Sequence, residues 1–200
     1  MYKSKSLLVF IFIVISTIKV QSQKISFDRI EKDGVRHIGT ESLKVKMDDA
    51  NYDFSLTVFS ESNSNNYCLL VSSINKIEEN CVLLLKLGNE ETIKLIANNV
   101  HVGQIDYPKY NPVIGSSSIS GIMSTQKVDY YVSIYPLDAE LLDKIESFGI
   151  TKTRIAFYNN YYEKNWINDW NNDKLGKFIK KSRLKLEEEL NSKKSIENGF

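Results

Sequence analysis

The chain is poor in the residues that usually carry recognisable chemistry. Among 200 residues there are two histidines, two cysteines, three prolines and nine glycines. His37 and His101 stand far apart and fit no H-E-x-x-H or other metal-ligand spacing, so the sequence offers no histidine-based metal centre. Gly-rich phosphate loops of the G-x-x-x-x-G-K-[ST] or G-x-G-x-x-G kind are absent. The serine-rich run Gly115 to Gly121 misses G-x-S-x-G because Ile119 occupies the final glycine position. No spacing singles out a pair of carboxylates for hydrolysis among the 25 acids. The formal net charge is only +1, which gives no electrostatic reason to seek a nucleic-acid backbone.

Long apolar runs are equally scarce, with one exception at the N-terminus. There Lys3 and Lys5 precede an apolar run from Leu7 to Ile18, and Val20-Gln21-Ser22 supplies the small residues of a cleavage site. The run is shorter than the roughly 20 residues of a comfortable span. The sequence therefore predicts a signal peptide over residues 1–22, cut near Ser22–Gln23, and a periplasmic or secreted product. Removing Lys3, Lys5 and Lys19 turns the charge to −2, and no later run is long enough to cross a bilayer. Export also sets the redox context: Cys68 and Cys81 permit one disulfide, or serve as two buried thiols.

What is present is mostly strand pattern. Residues 24–30 (KISFDRI), 43–47 (LKVKM) and 52–59 (YDFSLTVF) alternate apolar and polar positions, and Asp33-Gly34 marks a hairpin leading into 35–40. Residues 69–71 and 82–85 are continuously apolar, as in strands covered on both sides. Gly88-Asn89 turns the chain into 91–96, residues 115–125 read as a loop or weak edge strand, and 128–135 (VDYYVSIY) read as a strand. Two helices follow. Asp138 caps one whose apolar face is Leu141, Leu142, Ile145 and Phe148, with Gly149 as its stop. After the strand 150–157, Asn172 or Asp173 caps a longer one with a stripe of Leu175, Phe178, Ile179, Ser182, Leu186 and Leu190. The predicted class is mainly β within α+β: an antiparallel β-sandwich of one domain, residues 23–200, with a short helix near 138–148 and a long C-terminal amphipathic helix.

The segments KDGVRHIGT (32–40), YPLDAELL followed by GITKTR (135–142 and 149–154), and DKLGKFI (173–179) resemble stretches of uncharacterised exported β-rich proteins of Bacteroides-type bacteria. The resemblance implies an exported β-rich fold and carries over no activity or site.

Two D-x-N-x-D runs, 49–53 and 169–173, open like EF-hand loops. They fail at the sixth position (Phe54, Lys174) and at the twelfth (Ser60, Lys180). A turn and a helix cap explain them better. The basic residues of the last helix are followed by Glu187, Glu188 and Glu189, as on a solvated face.

The one unusual stretch is YNNYYEKNWINDW, residues 158–170, which holds both tryptophans. Tyr158, Tyr161, Tyr162, Trp166 and Trp170 can form a platform on which a sugar stacks, helped by the asparagines and acids between them. A helical turn would put Trp166 and Trp170 on one face. The same aromatics can instead clasp the last helix to the sheet, and the architecture favours that role. The expected function is a non-catalytic interaction or envelope-associated module without a cofactor, with an envelope protein or a carbohydrate as the partner classes. A glycan-binding module built on 158–170 and a carboxylate-dependent hydrolase are the alternatives.

Overall fold

The computed structural model describes residues 23–32, 34–61, 64–114, 119–157, 159–167 and 172–197; at 110–114, 119–123 and 193–197 it describes the backbone alone. The candidate leader, Tyr158 and Trp170 lie outside the described residues, as does most of the second D-x-N-x-D run.

Eleven antiparallel strands and two helices make up the described chain: β1 (Ile25–Ile30), β2 (Arg36–Thr40), β3 (Leu43–Met47), β4 (Ala50–Glu61), β5 (Ser64–Ser73), β6 (Val82–Leu87), β7 (Thr92–Ile96), β8 (Asn99–Ile114), β9 (Ile119–Leu137), α1 (Ala139–Phe148), β10 (Ile150–Ala156), β11 (Tyr161–Asn165) and α2 (Lys174–Glu197). A seven-stranded sheet runs β1-β2-β4-β5-β9-β8. The long β4 shares one edge between β3, paired at 50–54, and β2, paired at 57–60. A second sheet runs β11-β10-β6-β7.

Alternation decides which residues enter the core. Tyr52, Phe54, Leu56 and Val58 of β4 line up with Val71, Leu69 and Tyr67 of β5, and these with Tyr135 and Leu137 of β9. All are buried, and they join Leu83, Leu85, Leu87 and Ile155 of the second sheet in one cluster. Fully burying side chains of this size contributes about 1.5–3 kcal/mol each. The class is therefore the predicted one, two antiparallel sheets with a short and a long helix.

Both helix starts are set by aspartates. Asp138 accepts a hydrogen bond from the Leu141 N–H at 2.8 Å, and Gly149, at φ +66°, ends α1. Asp173 precedes α2 and its Oδ1 accepts from Gly176 N–H at 3.0 Å and Ile150 N–H at 2.6 Å. One carboxylate thus pins the first turn of α2 to the start of β10. A Cβ at Gly176 would collide with that carboxylate, which explains a glycine inside a helix. The stripe Leu175, Phe178, Ile179, Ser182, Leu186 and Leu190 is buried as predicted. Lys174, Lys177, Lys180 and Lys181 of α2 are exposed, as on a solvated face, whereas Arg183 is drawn onto α1. Arg183 bonds Asp143 at 2.6 Å and Glu146 at 3.2 Å, both on α1, and Glu187 on its own helix.

Two expectations are corrected, and one unassigned stretch becomes a strand. Residues 99–114, for which the sequence predicts no element, form β8, and residues 119–125, read as a loop or weak edge strand, begin β9 and pair with it. Tyr161–Asn165 is a strand, not a helical turn. The disulfide is absent. Cys68 faces away from the core on β5, between inward-facing Tyr67 and Leu69, whereas Cys81 sits in the core with its Sγ 2.8 Å from the Tyr135 hydroxyl. With Cys68 on the outer face of the large sheet and Cys81 on its inner side, the backbone between them cannot be bridged.

Candidate functional site

The aromatic stretch divides by strand alternation. Trp166 is 2% exposed; its indole N–H donates to Thr153 Oγ1 at 2.9 Å and its backbone N–H to Thr151 O. A ring so enclosed is not available for stacking on a sugar; it belongs to the same core cluster as Leu175 and Phe178 of α2. Tyr162 is half-buried, its ring 5.8 Å from Tyr52 and 5.9 Å from Phe157, and it seals the gap between the two sheets. Tyr161 points the other way and is 52% exposed, with the Arg154 guanidinium 4.3 Å from its ring centre. The three described candidates, Tyr161, Tyr162 and Trp166, therefore do not converge on one surface.

Tyr161 belongs instead to the outer face of the second sheet. The register sets three rows across it: Asn165, Lys152, Lys86 and Thr92; then Glu163, Arg154, Leu84 and Lys94; then Tyr161, Ala156, Val82 and Ile96. The first two rows gather four cations, the third is apolar, and Ile96 is exposed. Leu84, Lys86, Thr92, Lys152 and Arg154 border a shallow depression of about 190 Å³.

Glu163 organises this face. Its carboxylate takes Lys152 at 2.7 Å and both Arg154 Nε and a terminal nitrogen, at 2.9 and 2.6 Å. Burial pulls its pKa upward, but the hydrogen bonds from Lys152 and Arg154 outweigh this and hold it below the usual carboxylate range. Its backbone N–H donates to Asp48 Oδ2 at 2.8 Å, so the β3–β4 turn, at φ +50°, fixes the height of β11. Lys86 pairs with Glu90 at the neighbouring turn. Lys94 has no acidic residue among its neighbours on these rows.

Other parts of the molecule offer less. Two clefts of about 330 and 360 Å³ flank Glu78 and Glu79, and Cys81 reaches the second. Burial pushes the Cys81 thiol up despite its hydrogen bond with Tyr135, which is the wrong direction for a nucleophile. Among the described residues no group of histidines, cysteines and acids has the arrangement of a metal site. Buried polar atoms of Tyr52, Thr57 and Ser182 find no hydrogen-bond partner among the described residues, but they sit in the core, on the outer side of the large sheet and on α2, and form no constellation.

No protein-family model, curated protein or solved structure matches the chain. The assignment of a site therefore rests on geometry. Sequence reading found Tyr161 but missed Lys86, Lys94, Lys152 and Arg154. The available signal was a charge within otherwise apolar or alternating strands, Lys86 in LLLKL, Lys94 in TIKLI, and Lys152 and Arg154 in TKTRI, which marks the solvent side of each strand without saying which strands are neighbours.

Proposed function

We propose that this protein is an exported, non-catalytic interaction module, and that the open face of its four-stranded sheet binds an anionic partner, a carboxylate-bearing saccharide. The observation that carries this reading is the concentration of Lys86, Lys94, Lys152 and Arg154 on one face that no described element covers, against Glu163 and Glu90 among the described residues. A chain close to neutral overall has no general excess of cations to spend there. Glu163 holds Arg154 over the Tyr161 ring, so a guanidinium and an aromatic ring are ordered before any ligand arrives. Pre-ordered groups lose less entropy on binding. The depression is shallow and open along the strands, which suits an extended polymer more than an enclosed small molecule.

The test is isothermal titration of the purified protein with polygalacturonate and, in parallel, with neutral dextran. Binding of the acidic polymer alone is expected, weakening as salt screens the exposed charges. The double variant Lys94→Glu/Lys152→Glu is expected to weaken it by at least about tenfold, with far-UV circular dichroism showing an intact fold. Absence of binding to the acidic polymer, or binding indifferent to the double variant, would sink the proposal.

A further inference from the structure

The β8–β9 hairpin outruns the sheet it belongs to. β5 pairs with β9 from Leu137 to Tyr131 and stops there at Ser73. The β8–β9 ladder continues from Tyr130 to Ile119 without a break. At roughly 3.3 Å per residue this leaves an arm about 35–40 Å long with two strands and, among the described residues, no third. Residues 101–109 are exposed throughout, with Val102, Ile105 and Tyr107 among them. A two-stranded ribbon without a packed face is marginal in water.

The two edges of the arm are built differently. Ile134 O accepts from Asn98 N–H on the β8 side, so even-numbered residues of β9 turn their backbone groups toward β8. Odd-numbered ones turn theirs to the opposite edge, where 131, 133, 135 and 137 meet β5. Pro108 and Pro112 stand opposite Thr125 and Gly121, so their nitrogens point away from the ladder and delete two donors from the outer edge of β8. That is how natural sheets block edge-to-edge pairing. The β9 edge carries no such block. Its N–H and C=O groups at 129, 127, 125, 123 and 121 continue the row used by β5, and among the described residues no strand faces them.

We infer that the β9 edge of the arm pairs antiparallel with the same edge of a second copy of this chain, about a twofold axis at Thr125. That register sets Thr125 opposite its own counterpart, Lys127 opposite Met123 and Asp129 opposite Gly121, so no like charges meet. It pairs residues 120–130 and stops at Tyr130, one residue before β5 takes over the edge. A register centred two residues nearer the body would set Lys127 against Lys127 and drive the second arm into β5. The described arm residues Asp106, Lys109, Lys127 and Asp129 sum to no net charge, which favours a self-complementary partner over a charged foreign strand. The dimer closes a four-stranded ribbon whose outer edges are both the proline-bearing β8, and therefore stops at two copies.

Sedimentation velocity of the whole protein over a concentration series tests this. The wild type is expected to approach a dimer as concentration rises. Thr125→Pro deletes the central N–H, which points away from β8, so the hairpin survives while both symmetric bonds between copies are lost; the dissociation constant is expected to rise at least about tenfold. Thr125→Val keeps the N–H and is expected to keep the dimer. A wild type that stays monomeric at every concentration, or a dimer untouched by Thr125→Pro, overturns the inference. Retention of a foreign peptide strand by a monomeric protein counts among the overturning results.

Discussion

Replacing Trp166 gives the sharpest test of how the C-terminal segment is held. The ring is 2% exposed and its N–H reaches the hydroxyl of Thr153, itself fully buried. Trp166→Ala removes a large side chain from a close-packed site, which costs about 3–5 kcal/mol. For a chain of this size each kcal/mol lowers Tm by about 2–4 °C. Trp166→Phe keeps most of the apolar volume but strands the Thr153 hydroxyl, at about 1–3 kcal/mol. Thr153→Val strands the indole N–H by a similar amount. In the double variant neither polar group is left unpaired, so its loss is expected to fall short of the sum by about 1 kcal/mol. Urea unfolding followed by far-UV circular dichroism reads all four proteins without relying on the fluorescence that the substitution alters. If Trp166→Ala stays within about 0.5 kcal/mol of wild type, the clasp reasoning is refuted, because substitutions without structural consequence fall in that range.

Arg183→Met is expected to lower stability by about 1–3 kcal/mol by thermal denaturation, since Asp143, Glu146 and Glu187 lose their shared cation, and Arg183→Lys rescues little of it because one ammonium cannot serve three carboxylates in a fork. Neither cysteine is expected to react with a thiol reagent in the folded protein, since burial raises both thiols, and Tm is expected to be the same with and without reductant; a drop in Tm on reduction would reveal a bridge. Asp173 is raised by burial, although hydrogen bonds from Ile150 and Gly176 pull it back. Its folded pKa stands above its unfolded one, so its contribution is full below the ordinary carboxylate value and declines as pH rises through the raised one. The stability of Asp173→Asn relative to wild type is therefore expected to improve from pH 4 to pH 7 in parallel urea titrations, and a flat difference would contradict the assignment.

Much of this fold was legible because burial on one side imposes a period. β3 and β4 alternate and β6 is nearly all apolar, and α1 is bounded by Asp138 and Gly149 as its capping residues indicated. Even Ser182 was read correctly as part of the α2 stripe. β8 was not legible, since a ribbon wet on both sides needs no alternation and two prolines argue against a strand that happens to be an edge. β11 was hidden because its outward residues include a tyrosine and its inward ones a lysine. The basic face escaped for a different reason. Lys86 and Lys152 become neighbours only through the β6–β10 pairing, a relation between distant segments that no local pattern encodes. The cysteines show the partial case: parity within β5 puts Cys68 on the side opposite Leu69, but which side is the core depends on the partner strands.

The order in which the strands join has a consequence for how the chain reaches this state. β1 to β5 can assemble as a run of neighbours as they emerge, yet β5 finds its second partner only when β9 has been made, with Tyr67 waiting for Leu137. The smaller sheet is likewise open between β6 and β10 until α1 has been passed. Closing such long loops is paid in chain entropy before any contact repays it, so these two pairings set the folding rate. In the interval the Leu-rich β6 and the apolar face of β5 present unfinished edges. Until the pairings close, those edges must be kept apart from their counterparts on neighbouring molecules, and the most useful help a cell can give is time.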